Sequence, residues 1–551
     1  MPWIQEYTPV SGSVGLSALV ASIPLAVIFV CLAGFRLKAH EAAVLALGAA
    51  VLISVTAWGM PVKLAALAAA QGGAFGLFPV FFIVLASLFL YRITVKGGQF
   101  EVIRASIAGL TPDRRLQALL IAFCFGAFIE GAAGFGAPVA IAGATLVGLG
   151  FAPLEAAGLC LVANTAPVAF GTIGIPIVAM AGATGLNDLG LMKLSAMVGR
   201  QLPFVSLFVP LYMVLIMVGF RRAMEILPAI VACGATFALC QFATANFLGP
   251  YLPDLIASLA AMAALMLLLR FWTPGTIHRF GHEQGAKAEV HGYTRGHVIR
   301  AWTPYLALTA IVLLWGQPSV KSALSRATVM IPVPGLDGAI ARAQLGPAAA
   351  GSPTPLQPVA AKFKLDYLAS GGSAVLVAAL FSAFACRLGV RETLRVLGGT
   401  LRDMLYPAVT ITAVLSLAYV MNASGMTTSL GVFSTRAGRL FPFISPILGW
   451  VGVFLTGSDT SSNVLFGGLQ KTAAEHLGLN PLLTTAANTS GGVMGKMISP
   501  QSLAVACAAT GMVGQEGSLF RFAIRHSLAL LLAICVIVYL QAFYLVWMIP
   551  A

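Results

Sequence analysis

ANTAPVAFGTIGIP, residues 163–176, returns as ANTSGGVMGKMISP, residues 487–500. In both copies a glycine follows the asparagine by 7 residues and a proline by 12: Asn164, Gly171 and Pro176, then Asn488, Gly495 and Pro500. The match extends outward. Upstream, GAFIEG (126–131) pairs with GVFLTG (452–457), the last glycine standing 33 and 31 residues before its asparagine. Tyr91 and Gly97 are six apart, as are Tyr419 and Gly425, and AGATG (181–185) echoes CAATG (507–511). Paired apolar segments broken by glycine and proline in corresponding halves are the sequence pointer to a secondary transporter's binding site.

The composition places those segments in a bilayer. Charged residues make up 9% and hydrophobic residues 59% of the 551 positions, against about 25% charged in a soluble domain. Apolar runs such as 14–35 and 528–547 are long enough to cross a hydrocarbon core as helices. The expected fold is therefore an all-α polytopic membrane protein with about 12–14 transmembrane segments. The start, MPWIQEYTPVSGS, lacks the basic region of a cleavable signal peptide, so the first span is expected to stay as an anchor. The net charge of +14 is expected to serve topology rather than nucleic acid, because Lys and Arg gather in short loops. The eight cysteines (Cys31, Cys124, Cys160, Cys233, Cys240, Cys386, Cys507, Cys535) lie in apolar stretches without paired spacing. They read as small hydrophobes, not as disulfides or a metal site.

Arg36 and Lys38 put the first loop in the cytoplasm, and Arg92, Lys96, Arg104, Arg114 and Arg115 mark another inner loop. Arg221 and Arg222 mark the next boundary, and residues 270–300 carry Arg270, Arg279, Lys287, Arg295 and Arg300. The Pro/Ala/Gly-rich stretch 317–366 reads as a periplasmic loop between the halves, although Lys321, Arg326, Arg342, Lys362 and Lys364 fit that side poorly. The span ending at Tyr91 has its basic residues after it; its partner ending at Tyr419 has Arg387, Arg391, Arg395 and Arg402 before it. Flipped bias on matching sequence reads as two inverted-topology repeats with broken helices or hairpins; a parallel duplication is the alternative. The organisation expected is N-terminal spans at 1–72, a first repeat of the transport domain at 73–222, connecting spans at 223–400 and a second repeat at 401–551.

GAFIEGAAGFGAP (126–138) cannot easily remain a regular helix, and irregular backbone at membrane depth survives only against protein or a wet cavity. Its mate carries a polar run, Thr456, Ser458, Asp459, Thr460, Ser461, Ser462 and Asn463, read as a site or, alternatively, as a loop outside the bilayer. Glu130 and Asp459 are the candidate proton carriers, because an apolar setting disfavours an ionised carboxyl; structural acids are the alternative. Asn164 and Thr165, with Asn488 and Thr489, are expected where broken helices meet, offering amides and hydroxyls to a carboxylate. Lys496 is a candidate point charge for an anion, or a snorkelling lysine. Arg200 is a weaker candidate, and the histidines read as surface or interfacial. No nucleotide-binding, metal-binding or nucleophile–base pattern appears, so neither catalytic residues, metal nor cofactor is expected.

At these residues the chain resembles the L-lactate permease family. FCFGAFIEGAAGFGAPVAI, NTAPVAFG, GIPI, VGRQLPF, GWVGVFLTGSDTSSN, AANTSGGVMGKMISPQS and FRFAIRHS follow that family's segments in order over nearly the whole chain. The resemblance implies uptake of L-lactate, with D-lactate and glycolate, by symport with protons across a bacterial inner membrane. The paired Asn-Thr elements are also similar to the Ser-Asn-Thr hairpin tips of divalent-anion/sodium symporters, which implies an inverted-repeat, elevator-type architecture. Ala163 and Ala487 stand where those tips carry serine, which argues against a sodium site. On this reading Lys496 and the Asn-Thr elements hold the carboxylate, and Ser458 to Asn463 read the 2-hydroxyl. A sodium-coupled carboxylate symporter and a passive anion channel are the rival readings; the channel would need a pore lined with basic residues, and Lys496 stands nearly alone.

Overall fold

The computed structural model describes residues 2–35, 37–134, 136–280, 293–343 and 356–551. Arg36, Lys287 and the middles of the stretches expected as loops at 270–300 and 317–366 lie outside them. Eleven of the described helical segments are long and apolar enough to cross a membrane. The number is twelve if the pair Pro153–Ala163 and Val168–Thr184, bent by 62°, forms one span. The protein is an all-α polytopic membrane protein. The count sits at or below the lower edge of the sequence expectation because some apolar segments are too short. Ala137–Gly148 has 12 residues, about 18 Å of helix, and Gly371–Ala385 has 15.

Lipid offers no partner to backbone N–H and C=O groups, so these runs satisfy them internally as helices. Their outer faces show Leu239, Phe271 and Phe384, while alanine and glycine line the inner contacts. The segment Arg114–Ala132 is buried along its length and forms the centre. Where two backbones touch, the residue is glycine. A side chain on Gly449 would collide with the Asn488 carbonyl, and one on Gly491 with the Pro446 carbonyl. The helices Phe441–Thr456 and Pro481–Lys496 are thus locked backbone to backbone, the close approach that small residues permit in membranes.

The stretch expected as a plain loop at 317–366 is partly ordered. It forms the helix Pro318–Ser325 and four short strands. Val329–Pro332 pairs antiparallel with Lys362–Leu365, and Ile340–Ala343 pairs antiparallel with Leu356–Pro358. The N-terminal Trp3–Ile4 runs parallel to Ile340–Ala341, which places the N-terminus and this stretch on one face. On the other face the guanidinium of Arg115, fully buried, makes five hydrogen bonds. Two reach Asp113 (3.1 and 2.7 Å) and one reaches Glu225 (2.6 Å); the others go to the Arg222 and Thr276 carbonyls (2.7 Å each). Nearby ion pairs Arg92–Asp403 (2.8 Å) and Lys96–Glu392 (3.4 Å) tie the halves together at the surface.

Candidate functional site

Each half contributes two interruptions. In the first, the helix Gly126–Ala132 stops at Ala132, and Gly134 (φ 58°) and Gly136 (φ 82°) turn the chain before Ala137–Gly148 begins. Glu130 sits in the last turn before that break, buried, with Oε2 lacking a hydrogen-bond partner. Asn164 is its polar neighbour, and Gly171 is small because a Cβ there would lie 2.6 Å from Oε1. Asn164 caps the helix Pro153–Ala163. Pro167 then removes a helical N–H and crowds the carbonyl four residues back, which ends the helix.

The next interruption is a left-handed run, Thr172 (φ 47°), Ile173 (φ 56°) and Gly174 (φ 72°). Two β-branched residues in this region cost about 1–3 kcal/mol each, and such strain clusters at functional sites. Packing holds it. Thr172 Oγ1 donates to the Ala133 carbonyl at 3.4 Å, and the Pro250 carbonyl fills the space where Gly174 lacks a side chain.

In the second half the helix Phe441–Thr456 stops at Gly457 (φ 70°). Ser458 then caps Asp459–His476, its Oγ accepting from the Ser461 N–H at 3.2 Å. Asp459 is buried in the first turn; Oδ2 accepts from Asn463 Nδ2 at 3.4 Å and Oδ1 has no partner. The fourth interruption follows Lys496, at Met497–Ser499 before Pro500. In sequence the left-handed run of the first half corresponds to Lys496–Ile498, so Lys496 takes the place of Thr172, and here the break begins one residue later.

The breaks meet in space. Lys496 Nζ donates to the Gly457 carbonyl at 2.5 Å and interacts electrostatically with both Glu130 and Asp459. Asn463 joins the halves: Nδ2 donates to the Pro176 carbonyl (3.1 Å), while Oδ1 accepts from Asn488 Nδ2 (3.0 Å) and Thr489 Oγ1 (3.1 Å). Gln470 extends the network to Asn488 Oδ1 (3.2 Å) and is itself held by Ser445. Such an arrangement can hold a small anion against one cation while protons titrate two acids.

Other expected residues have different surroundings. Asn488 and Thr489 do not lie at a break but inside the continuous helix Pro481–Lys496. This copy has Gly491 where the first has Pro167, so no proline stops the helix. Thr165 Oγ1 donates to the Val162 carbonyl (2.7 Å) and Ser462 Oγ to the Gly449 carbonyl (3.0 Å), whereas Thr460 and Ser461 are half-buried. Arg200 is committed to Asn246 and the Met548 carbonyl, both at 2.7 Å. His526 is not superficial: it is buried against the Tyr212 hydroxyl at 2.6 Å, on a helix face its sequence neighbours did not reveal. Sequence reasoning also missed Gln470 and Asp254. An acid after a proline at the start of a span (PD, 253–254) reads as an exposed helix start, yet Asp254 is buried. Among the described residues no cluster of His, Cys, Asp and Glu could hold a metal ion.

Residues 17–545 match the family model of L-lactate permease. The chain belongs to the L-lactate permease family. It is 49% identical over 577 residues to an L-lactate permease of Bacillus subtilis and 46% identical over 558 residues to one of Escherichia coli, with 100% of each chain covered. A glycolate permease of Escherichia coli is 47% identical over 559 residues, with 98% of each chain covered. This permease is a multi-pass transporter and not an enzyme.

A cavity of about 870 Å³ opens on the face that carries the N-terminus and the strands. Its walls include Asp188, Tyr251, Lys364, Tyr419, Asn422 and Lys471. The turns from Val178 to Thr184 also line it, on the same helix that begins with the left-handed run.

Proposed function

We propose that this permease imports L-lactate, and with it D-lactate and glycolate, across the bacterial inner membrane by symport with protons. The observation that carries this reading is one cation, Lys496, acting electrostatically on two buried acids, Glu130 and Asp459, each with a carboxylate oxygen lacking a partner. An uncompensated charge in such a place costs several kcal/mol. With both acids ionised the three side chains carry one net negative charge, and a single proton neutralises them. A carboxylate substrate restores the negative charge and a second proton removes it again. Substrate and proton therefore bind favourably together and poorly apart.

Lys496 and Asn164 hold the carboxylate, with Asn488 and Thr489 fixing Asn463 beside them; Thr460 and Ser461 read the 2-hydroxyl, since Ser458 caps a helix and Ser462 faces Gly449. The names of the relatives support the two substrates. They differ by a methyl group, which one pocket discriminates weakly. The matched interruptions at Gly171–Pro176 and Gly495–Pro500 support two inverted-topology repeats, 73–222 and 401–551, around a shared midplane site.

Labelled L-lactate uptake into proteoliposomes under an imposed pH gradient, without sodium, tests the proposal. Wild type accumulates lactate, and Glu130→Gln or Asp459→Asn retains exchange but loses accumulation. Uptake that ignores the pH gradient and follows sodium would overturn the coupling.

A further inference from the structure

Asp254 is the buried acid that the scheme above leaves unused. It stands in the first turn of the helix Pro253–Phe271, 1% exposed, and neither carboxylate oxygen has a hydrogen-bond partner. It abuts the Glu130 helix: a Cβ built on Gly131 would lie 2.7 Å from the Asp254 Cβ. Packed against its helix are Gly126–Ala132 with Glu130, Leu119–Phe125 with Cys124, and Leu227–Phe247 with Cys233 and Cys240. Among the described residues, Glu130 is the ionisable group with which Asp254 interacts electrostatically. Three residues before Asp254, Tyr251 lines the large cavity. Asp254 does not itself line the cavity, and its helix packs against the helix that carries Glu130. A lone structural acid would be expected to hold a donor, and this one holds none.

We propose that Asp254 is a proton relay between the cavity and Glu130. A proton from cavity water binds the Asp254 carboxylate. It then passes to the Glu130 carboxylate, which becomes neutral as Asp254 returns to the anion; a second proton from the cavity resets Asp254. Gly131 is glycine because a side chain would push the two acids apart. The relay rests on the proton-coupling reading of Glu130.

The test uses the full-length protein in proteoliposomes with two readouts, pH-gradient-driven accumulation and lactate exchange at equal pH. Asp254→Asn exchanges lactate like wild type but accumulates it on the order of 100-fold more slowly, the scale of a lost positioned proton-transfer group. Asp254→Glu recovers part of the rate. Wild-type accumulation by Asp254→Asn overturns the relay, as does equal loss of both readouts in a variant that folds. Should Asp254→Asn not fold, lactate-induced infrared difference spectra of wild type and the double variant Glu130→Gln/Asp459→Asn decide. A protonated-carboxyl band that survives both substitutions supports the relay, and its absence overturns it. If wild type ignores the pH gradient, the coupling reading falls and the relay with it; if wild type follows the gradient and Asp254→Asn accumulates lactate equally fast, the relay alone falls.

Discussion

Lys496 is the residue on which the charge balance turns. It ends one helix, donates to the carbonyl at the break of another, and is the cation shared by two acids from different halves. Removing it leaves two buried acids without their nearby cation, which destabilises the fold. Lys496→Met should therefore lower the melting temperature in detergent and abolish lactate binding. Adding Glu130→Gln should restore part of the stability but not binding, because the amide needs no counter-charge while Asp459 and the substrate still do. Equal melting of the single and double variants would show that the two side chains are not coupled. The sequence marked Glu130 and Asp459 as acids costly in an apolar run, and Lys496 as a point charge for an anion or a snorkelling lysine. It could not say that one lysine serves both acids, because that depends on the rotation of helices far apart in the chain.

Among the elements, the helices Pro153–Ala163 and Pro481–Lys496 show how one shared motif acquires two shapes. Pro167 stops the helix after Asn164 in the first copy, whereas Gly491 and Gly492 let the second run on to Lys496 and pack backbone to backbone. The substitution Gly491→Val would drive its side chain into the Pro446 carbonyl, an overpacking cost of about 1–3 kcal/mol. Because Asn488 shares that interface, the expected result is a lower melting temperature together with weaker lactate affinity. Normal affinity with lowered stability would separate the interface from the site. The interruptions at 133–136 and 457–458 were legible, because clustered glycines and a capping serine leave the helix few alternatives. The placement of Asn488 inside a helix was not, since asparagine is compatible with both a break and a buried helical turn.

At the scale of the molecule, Arg115 fastens the face opposite the cavity. Its guanidinium joins Asp113, Glu225 and the carbonyls of Arg222 and Thr276, and His278 N–H closes on Asp113 at 3.0 Å. Arg115→Ala strands buried Asp113 and should cost about 3–5 kcal/mol, read as a fall in melting temperature and in folded yield. Arg115→Lys should recover little, because an ammonium cannot supply the planar fork of donors. Wild-type melting by either variant would show that the clamp does not hold the spans. Arg115 looked like an ordinary loop charge in the sequence, since a basic pair before a span is what topology alone requires.

The sequence by itself determined the bilayer, the matching motifs of the two halves, the family and most of the places where helices stop. Each follows from local chemistry: apolar length, the missing N–H of proline, the freedom of glycine, and the cost of charge in hydrocarbon. The tertiary structure decided which charges meet. Lipid is as apolar as a helix interface, so hydrophobicity does not encode which face of a span turns inward. Only packing brings Lys496 to Glu130 and Asp459, turns His526 inward, and sets Asp254 beside Gly131.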